Sequence, residues 1–174
     1  INWEGSWINL SPGTVYDKVG NATTCPSNQT VKIDKTAPSC SVTTSGGTAG
    51  SNGWYKKGTS KSNPITITGT CNDTGSGCQG NVSKTRYKDT NGEDVSPGIV
   101  RDNAGNETTC NTVNIKIDTK NPSCTSSGGN NNWTNDSRTL IGTCNDSESG
   151  CQGSAIWYIN WEGNWTKLSP GTVL

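Results

Sequence analysis

SPGIVRDNAGNETTCNTVNIKIDTKNPSC, residues Ser96 to Cys124, decides the fold. Within it TVNIKID places Val113, Ile115 and Ile117 on alternate positions, with polar residues between them. Successive side chains of a strand point to opposite faces, so this is the pattern of a half-buried β-strand. DNAGN, Asp102 to Asn106, reads as a tight turn, because Asp and Asn bond their own backbone and Gly takes positive φ freely. The strand ends at Asp118, and Pro122 holds the chain extended before the next Cys.

Working outward, the stretch is a repeat. SPGTVYDKVGNATTC, Ser11 to Cys25, returns as SPGIVRDNAGNETTC, Ser96 to Cys110. TVKIDKTAPSC, Thr30 to Cys40, returns at nearly the same interval as NIKIDTKNPSC, Asn114 to Cys124. GTCNDTGSGCQG, Gly69 to Gly80, returns sooner, as GTCNDSESGCQG from Gly142 to Gly153, so the later copy has lost part of the stretch between its first two Cys. INWEGSWINLSPGTV at Ile1 returns as INWEGNWTKLSPGTV at Ile159. A fixed period reorganises the reading of a whole chain. Residues 1–34 are expected to be the late part of one repeat, 35–118 a complete repeat and 119–174 the front of a third, as in a piece of a longer protein.

Composition agrees with small stapled β-modules. Leu, Ile and Val number only 24, Phe and Met are absent, and Gly, Ser, Thr and Asn form about half the chain. Such a low aliphatic content with high net charge would indicate disorder, but here 14 basic residues balance 14 acidic ones. Eight Cys and seven Trp supply another route to order, since small domains bury too little apolar surface to dispense with covalent staples. Charge balance offers no basic stripe for nucleic acid, and no apolar run approaches membrane-spanning length. Elsewhere PITITGTC sets Ile65, Ile67 and Cys71 on one face, Cys40 and Val42 share another, and the Asn-Gly of KDTNGED predicts a hairpin turn. Several short strands within one repeat favour an all-β, Greek-key sandwich.

IDKTAPSC, NGWY, CNDTGSGC, SPGTV and DNAGN, taken across the copies and at this period, resemble the bacterial Ig-like repeats of large surface and adhesin-like proteins. The resemblance covers the chain and implies tandem immunoglobulin-like sandwich modules, extracellular display and no shared active site. Four Cys per module depart from the commoner Cys-free versions.

Cys40, Cys71, Cys78 and Cys110 show a single short spacing, between Cys71 and Cys78, flanked by two long ones, and the chain has no His. That suits disulfides better than a zinc site with two short spacings. At one end of an Ig-like sandwich all four can meet. Cys40 with Cys71 and Cys78 with Cys110 is the preferred pairing, because neither closes a short loop; Cys71 with Cys78 and Cys40 with Cys110 is the alternative. The preferred rule pairs Cys124 with Cys144 and leaves Cys25 and Cys151 to partners in their own completed modules, or to an intermolecular Cys151 to Cys25 bridge in a polymer of copies.

Trp3, Trp7, Trp161 and Trp165 are candidates for stacking on sugar rings, which makes a carbohydrate-binding module of host or cell-surface glycans the competing function. The plainer reading is a cross-strand aromatic pair on a hairpin. Trp54 and Trp133 occupy matching positions and are expected as core anchors. Asp34 and Asp118 close the last strands at repeat junctions, where calcium sites occur in tandem domains. One Asp beside Lys is short of the six or more oxygens calcium takes; Asp73 and Asp102 could add oxygens, but turn chemistry explains them more simply, so no metal or cofactor is expected. The linkers IDKTAPS and IDTKNPS, with Pro38 and Pro122, predict a semi-rigid rod. Asn-x-Ser/Thr sequons, at Asn21, Asn72, Asn81, Asn106, Asn132 and Asn164 among others, are expected by chance in so Asn- and Thr-rich a chain. No His, nucleotide loop or paired carboxylates mark catalysis. The sequence therefore predicts a non-enzymatic structural or adhesive repeat segment of a surface or fibre protein, with neighbouring copies or modules of itself, and glycans or proteins of a cell surface, as partners.

Overall fold

The computed structural model describes residues 4–160. The elements are β1 (Gly5–Leu10), β2 (Thr14–Tyr16), β3 (Ala22–Thr24), β4 (Gln29–Ile33), β5 (Ser39–Gly46), β6 (Trp54–Tyr55), β7 (Ile65–Asn72) and β8 (Val82–Arg86). They continue with β9 (Thr90–Val95), β10 (Ile99–Arg101), β11 (Glu107–Thr109), β12 (Val113–Ile117), β13 (Ser123–Ser127), β14 (Arg138–Asn145) and β15 (Ala155–Ile159). Among the described residues every element is a strand, arranged in several small sheets, consistent with a β-sandwich protein. No helix among them is long and apolar enough to cross a membrane.

Two compact units divide the chain. The first holds residues up to Ser45, Thr66–Thr85 and Val95–Val113; the second holds Gly46–Ile65, Arg86–Asp94 and the chain from Asn114.

In the first unit β1 pairs antiparallel with β4, β2 with β3 and β10 with β11, while β5-β7-β8 is a three-stranded sheet. Hairpins β2–β3 and β10–β11 are copies of one device. Ser96 Oγ donates to Cys110 O at 2.8 Å and accepts from Gly98 N at 3.3 Å; Ser11 Oγ donates to Cys25 O at 2.7 Å and accepts from Gly13 N at 3.2 Å. In the predicted DNAGN turn, Asp102 N bonds Asn106 O, and its carboxylate accepts from Asn106 N at 2.8 Å and Nδ2 at 2.7 Å. Asp17 and Asn21 repeat every one of these bonds, and the Asn21 donors hold the Asp17 carboxyl below its ordinary range. The environments differ: Val100 is 0% exposed, whereas Val15 at the same place is 57% exposed.

In the second unit β6-β12-β9 and β13-β14-β15 are the sheets. β12 is the strand predicted from TVNIKID, with Ile115 and Ile117 fully buried. It pairs in parallel with β6, Lys116 opposite Trp54 and Ile117 opposite Tyr55. The Lys116 ammonium stands 5.9 Å from the Trp54 ring centroid, and Trp54 is half-buried. β13-β14-β15 has the strand order of β5-β7-β8, and its strands carry the corresponding Cys.

Three expectations are corrected. Trp133 is 84% exposed, in a stretch without strand, so it anchors no core; the shortened third copy has no counterpart of β6 there. Asn91 and Gly92 lie inside β9, with Gly92 at φ 97°, and β8 and β9 belong to different sheets, so KDTNGED is a crossing and not a hairpin. Cys71 shares parity with Ile65 and Ile67 but is only half-buried, because β7 leaves the core at its end.

Candidate functional site at the repeat junctions

The Cys arrangement explains the junctions. Disulfides join Cys40 to Cys110, Cys71 to Cys78 and Cys144 to Cys151, while Cys25 and Cys124 are free thiols. The preferred pairing of Cys40 with Cys71, Cys78 with Cys110 and Cys124 with Cys144 is therefore corrected to the alternative. Cys124 and Cys144 do lie opposite one another in register, yet Cys144 bonds the far end of its own loop. The loops make that choice: Asp73 Oδ2 accepts from Gly77 N at 2.6 Å, and Asp146 Oδ1 accepts from Gly150 N at 2.7 Å. Each turn thus brings its flanking Cys to a Cα separation of 6.0 Å, within disulfide range. Because Cys151 is already bonded, the Cys151 to Cys25 bridge falls as well.

Each disulfide-closed loop receives a carboxylate from the preceding linker. Asp34, just past β4, accepts from Ser76 N at 2.5 Å through Oδ2 and from Thr36 N at 3.1 Å through Oδ1. Asp118, just past β12, accepts from Ser149 N at 3.2 Å and Ser149 Oγ at 2.6 Å through Oδ2, and from Lys120 N at 3.0 Å through Oδ1. The Ser76 donors hold the Asp34 carboxyl below its ordinary value. Burial pushes Asp118 up, but the Ser149 and Lys120 donors outweigh it and the net direction is again downward.

The first linker is stitched further along its length. Asn106 Nδ2 lies within bonding distance of Asp34 O at 3.2 Å and Thr36 O at 3.3 Å, and Thr108 Oγ1 donates to Pro38 O at 2.5 Å. At the second linker Thr119 N and Oγ1 donate to Asp89 Oδ1 at 2.9 and 2.8 Å, and the Lys120 ammonium meets Glu148 at 2.5 Å.

These folds gather carboxylates that are dispersed in sequence. Asp34, Asp73 and Asp102 bring oxygens within 4.8 Å of one another, and so do Asp118, Asp146 and Glu148. They are the residues that would hold a cation. In the first cluster, however, Asp34, Asp73 and Asp102 all accept N–H donors, and in the second Lys120 already supplies a positive charge to Glu148. The geometry suits capping of loop amides by carboxylates.

Of the candidate stacking residues, Trp7 is half-buried in β1 opposite Val31, and its ring lies over Gly5, where a Cβ would stand 3.0 Å away. Trp3, Trp161 and Trp165 lie outside the described residues. Comparison of the chain with protein-family models, curated proteins and solved structures finds no match.

Proposed function

We propose that the chain is a non-enzymatic structural and adhesive segment of an extracellular surface or fibre protein, built as tandem immunoglobulin-like, Greek-key modules of the bacterial repeat kind and acting as a semi-rigid rod. The observation that carries this reading is the recurrence of the junction: a carboxylate at the end of one repeat's last strand seated on a disulfide-closed loop of the next, as Asp34 on Ser76 and as Asp118 on Ser149. A linker bonded through side chain and backbone transmits orientation where a free one would not. Three disulfides in 174 residues suit an oxidising, extracellular environment.

Backbone ¹⁵N relaxation across residues 33–40 and 117–124 tests the rod. Order parameters near about 0.85, as in strands, are expected; values below about 0.6 would make the junctions flexible hinges and remove the rod. Labelling of intact producing cells with a membrane-impermeant amine reagent tests display, and an unlabelled, fully reduced protein would contradict it.

A further inference from the structure

The disulfides of this chain are not equally shielded. Cys110 is 2% exposed and its partner Cys40 half-buried. β7 passes so close that a Cβ at Gly69 would stand 2.7 Å from Cys110 Sγ, 3.0 Å from Cys40 Sγ and 3.0 Å from Pro97 Cγ. A thiolate must reach a disulfide sulfur to open it, and on this flank backbone and proline ring already occupy the approach. Cys71 and Cys78 are both half-buried, as is Cys144, and Cys151 is exposed. Cys71–Cys78 has the whole of its own repeat around it and Cys144–Cys151 has a whole repeat before it, yet neither pair is buried.

The accessible bridges are also those that shape the junctions. Cys71–Cys78 closes the loop whose Ser76 N donates to Asp34 at 2.5 Å, and a Cβ at Gly75 of that loop would collide with the same carboxylate. So close a seat tolerates little movement of the loop. With the bridge open, hydrogen bonds alone hold it: Gly77 N to Asp73 at 2.6 Å, Asn103 N to Gly77 O at 2.8 Å and Asn103 Nδ2 to Ser76 O at 2.9 Å. Water competes for each of these, so the loop leaves its seat for part of the time while the module stays folded. Cys40–Cys110, with a separation of 70 against 7, ties hairpin β10–β11 to β5 and keeps that fold closed. The reduced loop has an acceptor waiting: Cys71 Sγ lies 3.8 Å from Arg101 O, which a thiol S–H can use and a disulfide sulfur cannot.

We propose that Cys71–Cys78 is a reductive modification site for dithiols, whose opening loosens Asp34 from its loop while Cys40–Cys110 stays closed, turning a stiff junction into a hinge. The proposal rests on the rod reading. One thiolate of the dithiol attacks Cys78 Sγ; a mixed disulfide forms, the Cys71–Cys78 bond breaks, and Cys71 leaves as a thiolate and takes up a proton. The second thiolate of the reductant then attacks its own sulfur in the mixed disulfide, and Cys78 leaves in the same way. Two electrons and two protons pass to the protein, and the dithiol becomes a cyclic disulfide. Cys144–Cys151, whose loop presents Ser149 to Asp118, is the same site one repeat further on.

The test treats the full chain, its existing thiols blocked beforehand, with graded dithiothreitol, followed by differential alkylation and peptide mapping. Cys71 and Cys78 should become labelled at least about tenfold faster than Cys40 and Cys110. In ¹⁵N-labelled protein at that stage, order parameters across residues 33–36 should fall from about 0.85 to below about 0.6 and recover on reoxidation, while those of β7 hold. The double variant Cys71→Ser, Cys78→Ser should show the low values without dithiothreitol and no response to it. Cys40–Cys110 opening first or together with Cys71–Cys78, or a double variant as stiff as the oxidised wild type, would overturn the switch. The two readings separate in the wild type: high values in the oxidised and the partly reduced chain alike remove only the switch, whereas low values in the fully oxidised chain remove the rod.

Discussion

Gly75 and Glu148 hold the same place in two copies of one loop and show how a single side chain retunes a junction. A Cβ at Gly75 would run into the Asp34 carboxylate, so glycine lets Ser76 N approach Asp34 to 2.5 Å. Where Glu148 stands instead, the corresponding Ser149 N lies 3.2 Å from Asp118, and Lys120, in the place of Thr36, takes up the added negative charge. Gly75→Glu should therefore lower the melting temperature by about 4 to 8 °C, as expected for a loss of about 1 kcal/mol in a compact unit of roughly 60 to 100 residues. Adding Thr36→Lys should recover part of it. A thermal double-mutant cycle measures the coupling, and purely additive effects would contradict the pairing. Residues of this kind were only partly legible. Ile65, Ile67, Ile115 and Ile117 could be read as core from alternation, and all four are buried. Val100 and Asp102 could not, because β10 is too short to show a period, and the burial of an Asp depends on contacts made far along the chain.

Disulfides act at the scale of elements, and their loops predict unequal contributions. Cys40–Cys110 closes a sequence separation of 70 and ties hairpin β10–β11 to β5, whereas Cys71–Cys78 closes one of 7 and fixes a single turn. Loop-closure entropy gives about 4 kcal/mol for the long bridge and about 2 kcal/mol for the short one. Urea denaturation of the paired Ala variants should show that order, and equal losses would argue against a chain-entropy origin. The Ser96 hydroxyl locks the hairpin that carries Cys110, so Ser96→Ala should cost about 1 kcal/mol, read in the same way. Strand existence was legible from alternation and turn residues, but disulfide connectivity was not. The register that places Cys124 opposite Cys144 makes a cross-strand bridge look natural, and only the geometry of the Asp73 and Asp146 turns shows why each Cys closes its own loop. Asn91-Gly92 misled for a related reason: a sequence suited to a hairpin turn is equally suited to a positive φ inside an irregular strand.

Among the described residues the buried aliphatic core is sparse and falls between Ile65 and Ile117. Order elsewhere leans on hydrogen-bonded turns, disulfides and the two carboxylate junctions. The repeat period, legible in sequence, placed Asp34 and Asp118 at corresponding positions. It could not show Asp73 and Asp102 converging on the first, or Asp146 and Glu148 on the second, since all four are remote in sequence from the carboxylates they meet. The donors of each loop, Ser76 at the first junction and Ser149 and Lys120 at the second, set the acid response. Asp34 faces Asp73 and Asp102, and Asp118 faces Asp146, Glu148 and the Lys120 ammonium; both carboxyls nevertheless titrate below the ordinary 3.8. A carboxyl depressed in the folded state contributes stability that is fully present above its unfolded value and is lost as pH falls through the folded one. Both junctions should thus remain closed down to pH 3.8 and loosen below it. Amide NMR titration reads this directly: Ser76 N–H should shift with an inflection below 3.8 that vanishes in Asp34→Asn, and Ser149 N–H should do the same in Asp118→Asn. An inflection above 3.8 at either amide would mean that repulsion among the gathered carboxylates outweighs the loop donors, and the junction would then be a site of strain instead of a fastener.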